Sequence, residues 1–396
     1  MHVLVLTKIF PNRIEPHACP FNRQQFAALA HYAEVDVLAT IPWFPAARSF
    51  SRWSRAGRLG SVPALERIDQ LSVFHPRYAY FPKLGGSAGG PLYVASVAPL
   101  VWQFRGSVDV IVGSWAYPDG YAAVVLARWL GVPAVIKVHG SDVHLLGQRS
   151  GSKKGVEWAL EHADGVVAVS HELASCVEKL GAAPSRVHVV PNGVDVDLFH
   201  PRERSETRRS LGVGAAQAAL FVGRIEQEKG VLDLVRAFAR RELQRDELWF
   251  VGDGPERQRC VALARELGVH ARFFGERPLA EVAAFMAASD VVVLPSYAEG
   301  SPNVVAEALA CGRRVVASDV GGVPELVHSP ELGWRVAPGD VTALGSALEA
   351  ALGRPEDDDA EAIRRAAGIS SWSQSAGELF DVLSRIVGEF RGRAAA

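Results

Sequence analysis

A helix start flanked by two glutamates lies between residues 290 and 312, and residues of these types at this spacing could bind an anion. The apolar run Val291–Leu294 predicts a buried strand, which leads into a Gly-Ser-Pro-Asn loop and then a helical run. In that run Ser301 is a good N-cap, Pro302 suits the first helical position and Gly312 suits the left-handed position past the end. The free N–H groups and the dipole at such a helix start favour a phosphate.

The two glutamates occupy different positions around this helix start. Glu299 precedes the helix, and Glu307 lies one turn after Asn303 on the same helical face. Glutamates at this spacing are common by chance, so the strand before them and the helix start between them carry the interpretation. The plain alternative is a surface glutamate beside a capped helix.

A second charged loop follows the predicted strand Leu220–Val222. It begins with Gly223 and contains Arg224 and Lys229. A guanidinium offers a fork for phosphate oxygens and an ammonium offers a point charge. The two could therefore neutralise a diphosphate in place of a metal ion, for which the sequence shows no paired acidic site. Taken alone, such cations in a charged loop are usually solvated.

The first half of the chain offers a histidine at a strand end. His139 follows the predicted strand Ala134–Val138 and is itself followed by Gly-Ser-Asp. A lone histidine there is more often structural than catalytic, and Asp142 could either hold the loop or orient the ring. Tyr117 and Asp119, which follow the preceding strand, are candidates for ligand contacts or members of a simple turn.

The elements that must position these residues alternate between short apolar strands and helical stretches. Continuous apolar runs are typical of strands buried on both faces. Their alternation with helices predicts an α/β fold with two doubly wound, Rossmann-like parallel sheets. The proline, asparagine and glycine residues between Pro191 and Pro201 predict a domain boundary there. Two such domains facing each other would create a cleft for ligands beyond the strand ends. The predicted strands are Val3–Leu6, Val35–Ala39, Val110–Val112, Ala134–Val138, Val166–Val169, Val187–Val190, Leu220–Val222, Trp249–Val251, Arg272–Phe274, Val291–Leu294, Val315–Ala317 and Trp334–Val336.

Composition excludes several classes of protein. The 396 residues are 48% hydrophobic and 22% charged with a formal net charge of −2, which is typical of a folded globular protein and argues against disorder. Neither half is basic enough for nucleic acid to be the main partner. The four cysteines show no paired spacing, which favours a reducing cytosol over a disulfide framework or a zinc knuckle. We expect neither a membrane span nor a signal peptide.

The run Glu299-Gly300-Ser301-Pro302-Asn303, with Glu307-Ala308 after it, resembles the signature of retaining glycosyltransferases of family 4, which adopt the GT-B fold. The resemblance implies that Glu299 contacts the donor sugar and that Glu307 binds the ribose hydroxyls. It also implies that main-chain N–H groups of the intervening loop meet the diphosphate. The donor-binding residues of this loop would be Gly300, Ser301, Pro302, Asn303 and Val304.

The same resemblance assigns the remaining candidates. Arg224 and Lys229 correspond to the cations that neutralise the diphosphate, with Gly223 beside them in the donor site. His139 corresponds to the histidine that faces the donor sugar, and we count it with Glu299 and the two cations as catalytic. The acceptor-side candidates are Tyr117, Asp119, Asp142, Asn12 and Arg13, with Asn22 as a further one.

One departure from the family lies in the loop after the first strand. Family members commonly carry glycine there, whereas Pro11–Phe21 contains Ala18 and Cys19 and no glycine. The absence also argues against a dinucleotide fingerprint, and so against a nicotinamide-dependent dehydrogenase. The donor side of this loop is the part of the resemblance that the sequence leaves open.

The predicted function is a retaining, metal-independent glycosyl transfer from a nucleotide-diphosphate sugar to a glycan or lipid-linked saccharide acceptor, in surface polysaccharide biosynthesis and without a cofactor. We expect residues 1–197 to form the acceptor-side domain, residues 198–372 to bind the nucleotide sugar, and residues 373–396 to return to the first domain as a helix. A GT-B epimerase or hydrolase acting on nucleotide sugars is the alternative. A non-catalytic sugar-nucleotide binding protein would need neither Glu299 nor His139.

A basic, aromatic-rich stretch bears on the location of the protein. Between Arg48 and Lys83 basic residues outnumber acidic ones, and aromatic residues are interleaved among them. Such a stretch can bind an anionic bilayer surface, although a solvated loop can have the same composition. We expect a cytoplasmic enzyme, with peripheral association with the cytoplasmic membrane as a further expectation.

Overall fold

The computed structural model describes residues 1–16, 18–45, 54–80, 89–144, 152–214, 217–240, 246–353 and 359–395. The chain divides into a first unit, residues 1–192 with 372–396, and a second unit, residues 193–371. Among the described residues, no helix combines the length and apolar character needed to cross a bilayer. Arg48, Arg52 and Lys83 of the basic stretch lie outside the described residues.

The first unit is built on a sheet in which, among the described residues, eight strands run in the order β10-β9-β8-β7-β1-β2-β5-β4. Every pairing in it is parallel except that of β4 with β5, and β3 and β6 form a separate parallel pair. The strands are β1 (His2–Thr7), β2 (Glu34–Ala39), β3 (Ile41–Trp43), β4 (Leu65–Ile68), β5 (Leu71–Phe74), β6 (Arg77–Ala79), β7 (Val110–Ser114), β8 (Ala134–Val138), β9 (Gly165–Ala168) and β10 (Val187–Val189). The helices that connect them are α1 (Pro20–Leu29), α2 (Arg55–Arg58), α3 (Gly89–Val101), α4 (Tyr121–Leu130), α5 (Ser141–His144), α6 (Lys153–His162) and α7 (His171–Lys179).

The second unit carries a fully parallel sheet, with six strands among the described residues in the order β13-β12-β11-β14-β15-β16. These strands are β11 (Ala218–Val222), β12 (Glu247–Val251), β13 (Ala271–Gly275), β14 (Val291–Leu294), β15 (Arg314–Ser318) and β16 (Gly333–Val336). Its helices are α8 (Arg204–Leu211), α9 (Val231–Ala239), α10 (Arg257–Glu266), α11 (Leu279–Ala288), α12 (Asn303–Ala310), α13 (Val323–Leu326), α14 (Val341–Leu352) and α15 (Ala360–Ala367). Two doubly wound parallel sheets confirm the predicted α/β fold.

The last helix, α16 (Trp372–Ala395), belongs to the first unit. Its buried residues Leu379 and Leu383 pack in the same apolar cluster as Phe26 and Leu29 of α1. At its start, the Ser375 hydroxyl donates to the carbonyl of Pro191 at 2.6 Å and accepts from Gln25 at 3.2 Å. The apolar stripe of this helix therefore covers one face of the first sheet.

Alternate residues of single strands pack on opposite faces of each sheet. In β1, Leu4 and Leu6 belong to one apolar cluster and Val3 and Val5 to another, and all four are fully buried. This two-sided burial explains why the strands appear in the sequence as unbroken apolar runs.

The sequence analysis missed four short strands, β3 to β6, of which β4, β5 and β6 lie within the basic, aromatic-rich stretch and β3 lies just before it. β4 is an exposed edge strand with two adjacent charged residues, Glu66 and Arg67, at its centre, so it lacks the apolar run of a central strand. β5 does show a signal, because Leu71 and Val73 are buried while Ser72 and Phe74 are only partly so. That alternation is typical of a strand with one buried face.

A buried ion cluster fixes the entry to β14, the strand that leads to the glutamate loop. Asp290 accepts hydrogen bonds from Arg204 and Arg208, each at 2.7 Å, and from the amide of Ala218 at 2.6 Å. The side chains of Asp290 and Arg208 are 9% and 7% exposed. This carboxylate therefore joins α8, β11 and β14 away from water.

Replacing Asp290 by alanine is expected to lower the free energy of unfolding by about 3 kcal/mol, because the buried guanidinium of Arg208 loses its carboxylate. For a unit of this size the melting temperature should fall by about 6–12 °C in a thermal unfolding experiment. Glu281→Ala is the control, since it breaks the solvent-exposed pair with Arg277 and should cost less than about 1 kcal/mol. Equal shifts in the two variants would contradict the structural role of Asp290.

Candidate functional site

The chemically promising loops of the second unit follow neighbouring strands at the point where the strand order reverses. β11 pairs with β14, and the chain continues outward from this pair in both directions. Ligands bind beyond the carboxyl ends of strands at such a switch point. The loop after β11 carries Arg224 and Lys229, and the loop after β14 carries Glu299.

An ion pair joins these two loops. Lys229 Nζ lies 2.6 Å from Glu299 Oε1, and the two side chains are 27% and 12% exposed. A main-chain hydrogen bond from the Tyr297 amide to the Glu228 carbonyl, 2.9 Å long, lies beside the pair. The structure thus brings together a predicted cation and a predicted sugar-binding carboxylate that are distant in sequence.

Two glycines let the main chain approach the glutamate loop closely. Gly230 has a φ of +65°, and a Cβ there would lie 2.0 Å from the Pro295 carbonyl oxygen. Gly321 has a φ of +54°, and a Cβ there would lie 2.0 Å from the Glu299 carbonyl oxygen. The amide of Gly322 also donates to the carbonyl of Gly300 at 2.8 Å. The loop that carries Glu299 is therefore clamped by two other main-chain segments, of which the one at Gly321 meets Glu299 itself.

Helix α12 begins one residue later than the sequence predicts. Pro302 has an extended backbone, with a ψ of 101°, and occupies the N-cap position without any side-chain cap. The prediction of Ser301 as the N-cap is therefore wrong, whereas Gly312, with a φ of +69°, follows the helix end as predicted. The carbonyl of Pro302 accepts from the amides of Val305 at 3.0 Å and Ala306 at 3.4 Å, which closes the first turn of the helix.

Three further donor-side candidates differ in their surroundings. Arg224 is 69% exposed and pairs with Glu226 at 3.0 Å, so it lies at the surface of its loop. Gly223, before it, donates its amide to Val251 at 3.0 Å. Glu307 lies within α12, where removal of its carboxyl from water raises its pKa to about 7. Its carboxyl therefore titrates near neutral pH.

In the first unit, Asp142 holds the loop that follows β8. Its carboxylate accepts from the amides of His139 at 3.1 Å, Gly140 at 2.9 Å and Ala116 at 2.9 Å. Burial raises the pKa of this carboxyl, while the amide hydrogen bonds act in the opposite direction. Of the two roles that the sequence left open for Asp142, these contacts provide the first, because none of them involves the imidazole ring.

The imidazole of His139 is oriented by residues that the sequence did not single out for this purpose. Its Nε2 lies 2.9 Å from Ser114 Oγ, and its ring packs against those of Phe21 and Trp115, with centroids 5.0 and 4.7 Å away. Burial, with a smaller contribution from the charge of Lys137, lowers the pKa of His139 well below its usual value. A signal for Ser114 was available, since it is the polar residue that ends the apolar run of β7.

Tyr117 and Asp119 lie inside the first unit. The Tyr117 hydroxyl accepts from the amide of Gly90 at 2.6 Å, and Asp119 accepts from the Tyr93 hydroxyl at 2.7 Å. Asp119 is fully buried, and this burial raises its pKa to about 7. Acceptor contacts by these two residues stay a prediction.

The loop after β1 is organised by its own side chains. Asn12 Oδ1 accepts from the amides of Ile14 and Glu15, both at 3.0 Å, and Arg13 donates to the Ser61 carbonyl. Cys19 has a φ of +54°, a left-handed conformation of the kind that favours glycine. This loop lacks the glycine that family members commonly carry, but Cys19 in it adopts a backbone conformation typical of glycine.

Comparisons with known proteins agree with this architecture. A family model described as glycosyl transferases group 1 matches residues 216–354, and one described as Glycosyltransferase Family 4 matches residues 56–198. TuaC of Bacillus subtilis (strain 168), named as a teichuronic acid biosynthesis glycosyltransferase, is 31% identical over 82% of this chain and 83% of its own.

Two solved structures share the fold. Sucrose-phosphate synthase from Thermosynechococcus elongatus has a TM-score of 0.76 at 22% identity and covers 100% of both chains. Anabaena HepE, solved in complex with UDP, has a TM-score of 0.75 at 21% identity and covers 97% of this chain and 100% of its own.

Gly321→Ala tests the close approach at the glutamate loop. We expect a loss of stability of about 3 kcal/mol or more, because the new methyl group meets the Glu299 carbonyl and the backbone is strained. Gly368→Ala is a matched control, since its φ is +57° and no atom lies within 4 Å of the added Cβ, so only the backbone strain of about 1–2 kcal/mol should remain. Thermal unfolding of both variants measures the difference, and equal losses would show that the Glu299 backbone is not clamped.

Proposed function

Because this chain belongs to the family 4 glycosyltransferases of the GT-B fold, we propose that it transfers a sugar from a nucleotide-diphosphate sugar with retention of the anomeric configuration. The observation that carries the proposal is the Lys229–Glu299 ion pair at the strand switch point, beside the start of α12. A cation, a carboxylate and helix amides at one such place suit a ligand that combines a diphosphate with a sugar.

In this proposal the second unit supplies the charge that the departing nucleoside diphosphate requires. Lys229, Arg224 and the amides at the start of α12 stabilise the negative charge that develops on the leaving phosphate oxygens. The exposed Arg224 offers a fork for two oxygens and Lys229 a point charge. These cations do the work for which other enzymes use a metal ion, so we propose that transfer needs neither a metal nor a cofactor.

The carboxylates and the histidine are assigned to positioning. Glu299 binds the transferred sugar and stabilises its developing positive charge, and Glu307 accepts hydrogen bonds from the ribose hydroxyls. His139 is assigned to a further contact with the sugar. The acceptor hydroxyl attacks from the side of the leaving group, and a phosphate oxygen takes its proton, so Glu299 is not assigned the role of a covalent nucleophile.

For the acceptor, we propose a glycan or a lipid-linked saccharide in surface polysaccharide biosynthesis. The relative TuaC, which is named for teichuronic acid biosynthesis, supports a biosynthetic role of this kind. Because HepE was solved with UDP, UDP is the first nucleotide to test here. A cytoplasmic location with peripheral membrane association completes the proposal, and vesicle sedimentation with anionic lipids tests the membrane part.

A nucleotide-sugar epimerase or hydrolase on the same scaffold is the competing function. Incubating the protein with UDP-, GDP- or ADP-sugars in the absence of an acceptor separates the two. Rapid formation of an epimer or free sugar would favour the competing function, whereas a transferase should turn over only when an acceptor is added. The anomeric configuration of the transferred sugar, read by NMR, then tests retention.

The cations can be tested without knowing the acceptor. A thermal-shift screen with UDP, GDP and ADP identifies the base, because a ligand that binds only the native state raises the melting temperature. Arg224→Ala and Lys229→Ala should each weaken binding of the matching nucleoside diphosphate by about 10–100-fold and hardly affect the monophosphate, since each removes a charge-assisted contact.

Glu299→Ala should instead leave nucleoside diphosphate binding nearly unchanged and lower transfer by at least about 100-fold, because it removes sugar positioning and charge stabilisation. Lys153→Ala, which breaks an exposed pair with Glu157, is the control for a charge change at the surface. Near-normal turnover in all three site variants would refute the assignment.

The pKa of Glu307 predicts a pH dependence of nucleotide binding. The carboxylate form accepts the ribose hydroxyls, and a free-state pKa of about 7 means that binding must release a proton at neutral and lower pH. Affinity should therefore rise between pH 6 and pH 8. Isothermal titration calorimetry should show that this rise in affinity with pH is lost in Glu307→Gln, and also when the wild type binds a 2′,3′-dideoxynucleotide. An unchanged pH profile in both experiments would contradict the assignment of Glu307 to the ribose hydroxyls.

A further inference from the structure

A chain of buried polar groups leads from α1 to the imidazole of His139. Asn22 Nδ2 donates to the Ile9 carbonyl at 3.5 Å, and Asn22 Oδ1 accepts from the Ser114 hydroxyl at 3.1 Å. Asn22 and Ser114 are both fully buried. The reverse amide orientation would place Oδ1 against the Ile9 carbonyl oxygen, so the contact with Ile9 fixes which atom of Asn22 faces Ser114.

These hydrogen bonds determine which nitrogen of the imidazole carries the proton. A serine hydroxyl has one hydrogen, and the hydroxyl of Ser114 uses it toward Asn22. Its oxygen can then only accept from His139 Nε2, which lies 2.9 Å away. The ring must therefore carry its proton on Nε2 and present a lone pair at Nδ1.

The series of hydrogen-bonded polar groups ends at His139 Nδ1. It is buried, and among the described parts of the protein it has no hydrogen-bond partner. Leaving a buried acceptor unsatisfied is costly, so such an atom in a native structure calls for a ligand or another partner. Phe21 and Trp115 pack against the ring, which limits its rotation toward other partners.

We propose that Asn22 and Ser114 are positioning residues that hold His139 as its Nε2–H tautomer, so that Nδ1 accepts a hydrogen bond from a hydroxyl of the bound sugar. The identity of that ligand rests on the proposed function, whereas the tautomer does not. A substrate lacking this hydroxyl would leave Nδ1 unpaired. The Nε2–H tautomer of His139 therefore favours sugars that carry a hydroxyl at the position facing Nδ1.

Long-range ¹H–¹⁵N spectra of the full chain labelled at histidine read the tautomer directly. We expect wild-type His139, identified by loss of its signals in His139→Gln, to show a protonated Nε2 and an unprotonated Nδ1 at pH 7. In Ser114→Ala the Nε2–H form loses its acceptor, and in Asn22→Ala the Ser114 hydroxyl becomes able to donate to Nε2. Both variants should therefore shift His139 toward the Nδ1–H tautomer.

His75 provides an internal reference for folding, because its Nδ1 faces the Ala39 carbonyl and its Nε2 faces Glu66, away from this chain of groups. Its signals should stay unchanged in both variants. A wild-type His139 protonated at Nδ1, or an unchanged tautomer in the variants, would overturn the proposal. If neither variant folds, the wild-type spectrum still decides the tautomer.

A binding measurement then connects the tautomer to the ligand. Using UDP-, GDP- and ADP-glucose beside the free nucleotides, both variants should lose about tenfold in affinity for the nucleotide sugar that binds and less than about twofold for the matching diphosphate. Equal loss for both ligands would contradict the contact with the sugar. If no nucleotide or nucleotide sugar binds the wild type, the proposed function fails while the spectrum still decides the tautomer.

Discussion

The ion pair between Lys229 and Glu299 depends on strand order more than on local sequence. The two residues are 70 positions apart, and they meet because β11 and β14 are neighbours at the one place in the second sheet, as described, where the winding reverses. Parallel strands end at the same edge, so the loops after β11 and β14 must lie side by side. A carboxylate and an ammonium held there in a partly buried environment need well-defined geometry to offset their loss of hydration.

The surrounding backbone provides that geometry. Gly230 and Gly321 allow main-chain segments to approach the glutamate loop more closely than any side chain would permit, and the extended Pro302 sets where α12 begins. In the proposed reaction the incoming diphosphate would share Lys229 with Glu299 and meet the first amides of α12. Charges fixed before the ligand arrives need little reorganisation during the reaction, which is the physical basis of electrostatic catalysis.

The sequence predicted those features that local chemistry dictates. Val291–Leu294 forms the predicted strand because both of its faces are buried, and Gly312 follows the helix because it adopts a positive φ. The N-cap of α12 was predicted wrongly because serine is a preferred N-cap residue, whereas the extended backbone of Pro302 places the helix start one residue later. The hydrogen bond between Ser114 and His139 could not be predicted, because it depends on how β7 and β8 pair in the sheet. The hydrogen bond that orients the Ser114 hydroxyl goes to α1, which is far away in sequence.

In the proposed function, the diphosphate of a nucleotide binds at the start of α12 against Lys229. A crystal structure of the protein with the nucleoside diphosphate that stabilises it most tests this directly. We expect a phosphate oxygen about 3 Å from Lys229 Nζ and from an amide at Asn303 or Val304. A phosphate bound elsewhere, with Lys229 still paired only with Glu299, would contradict it.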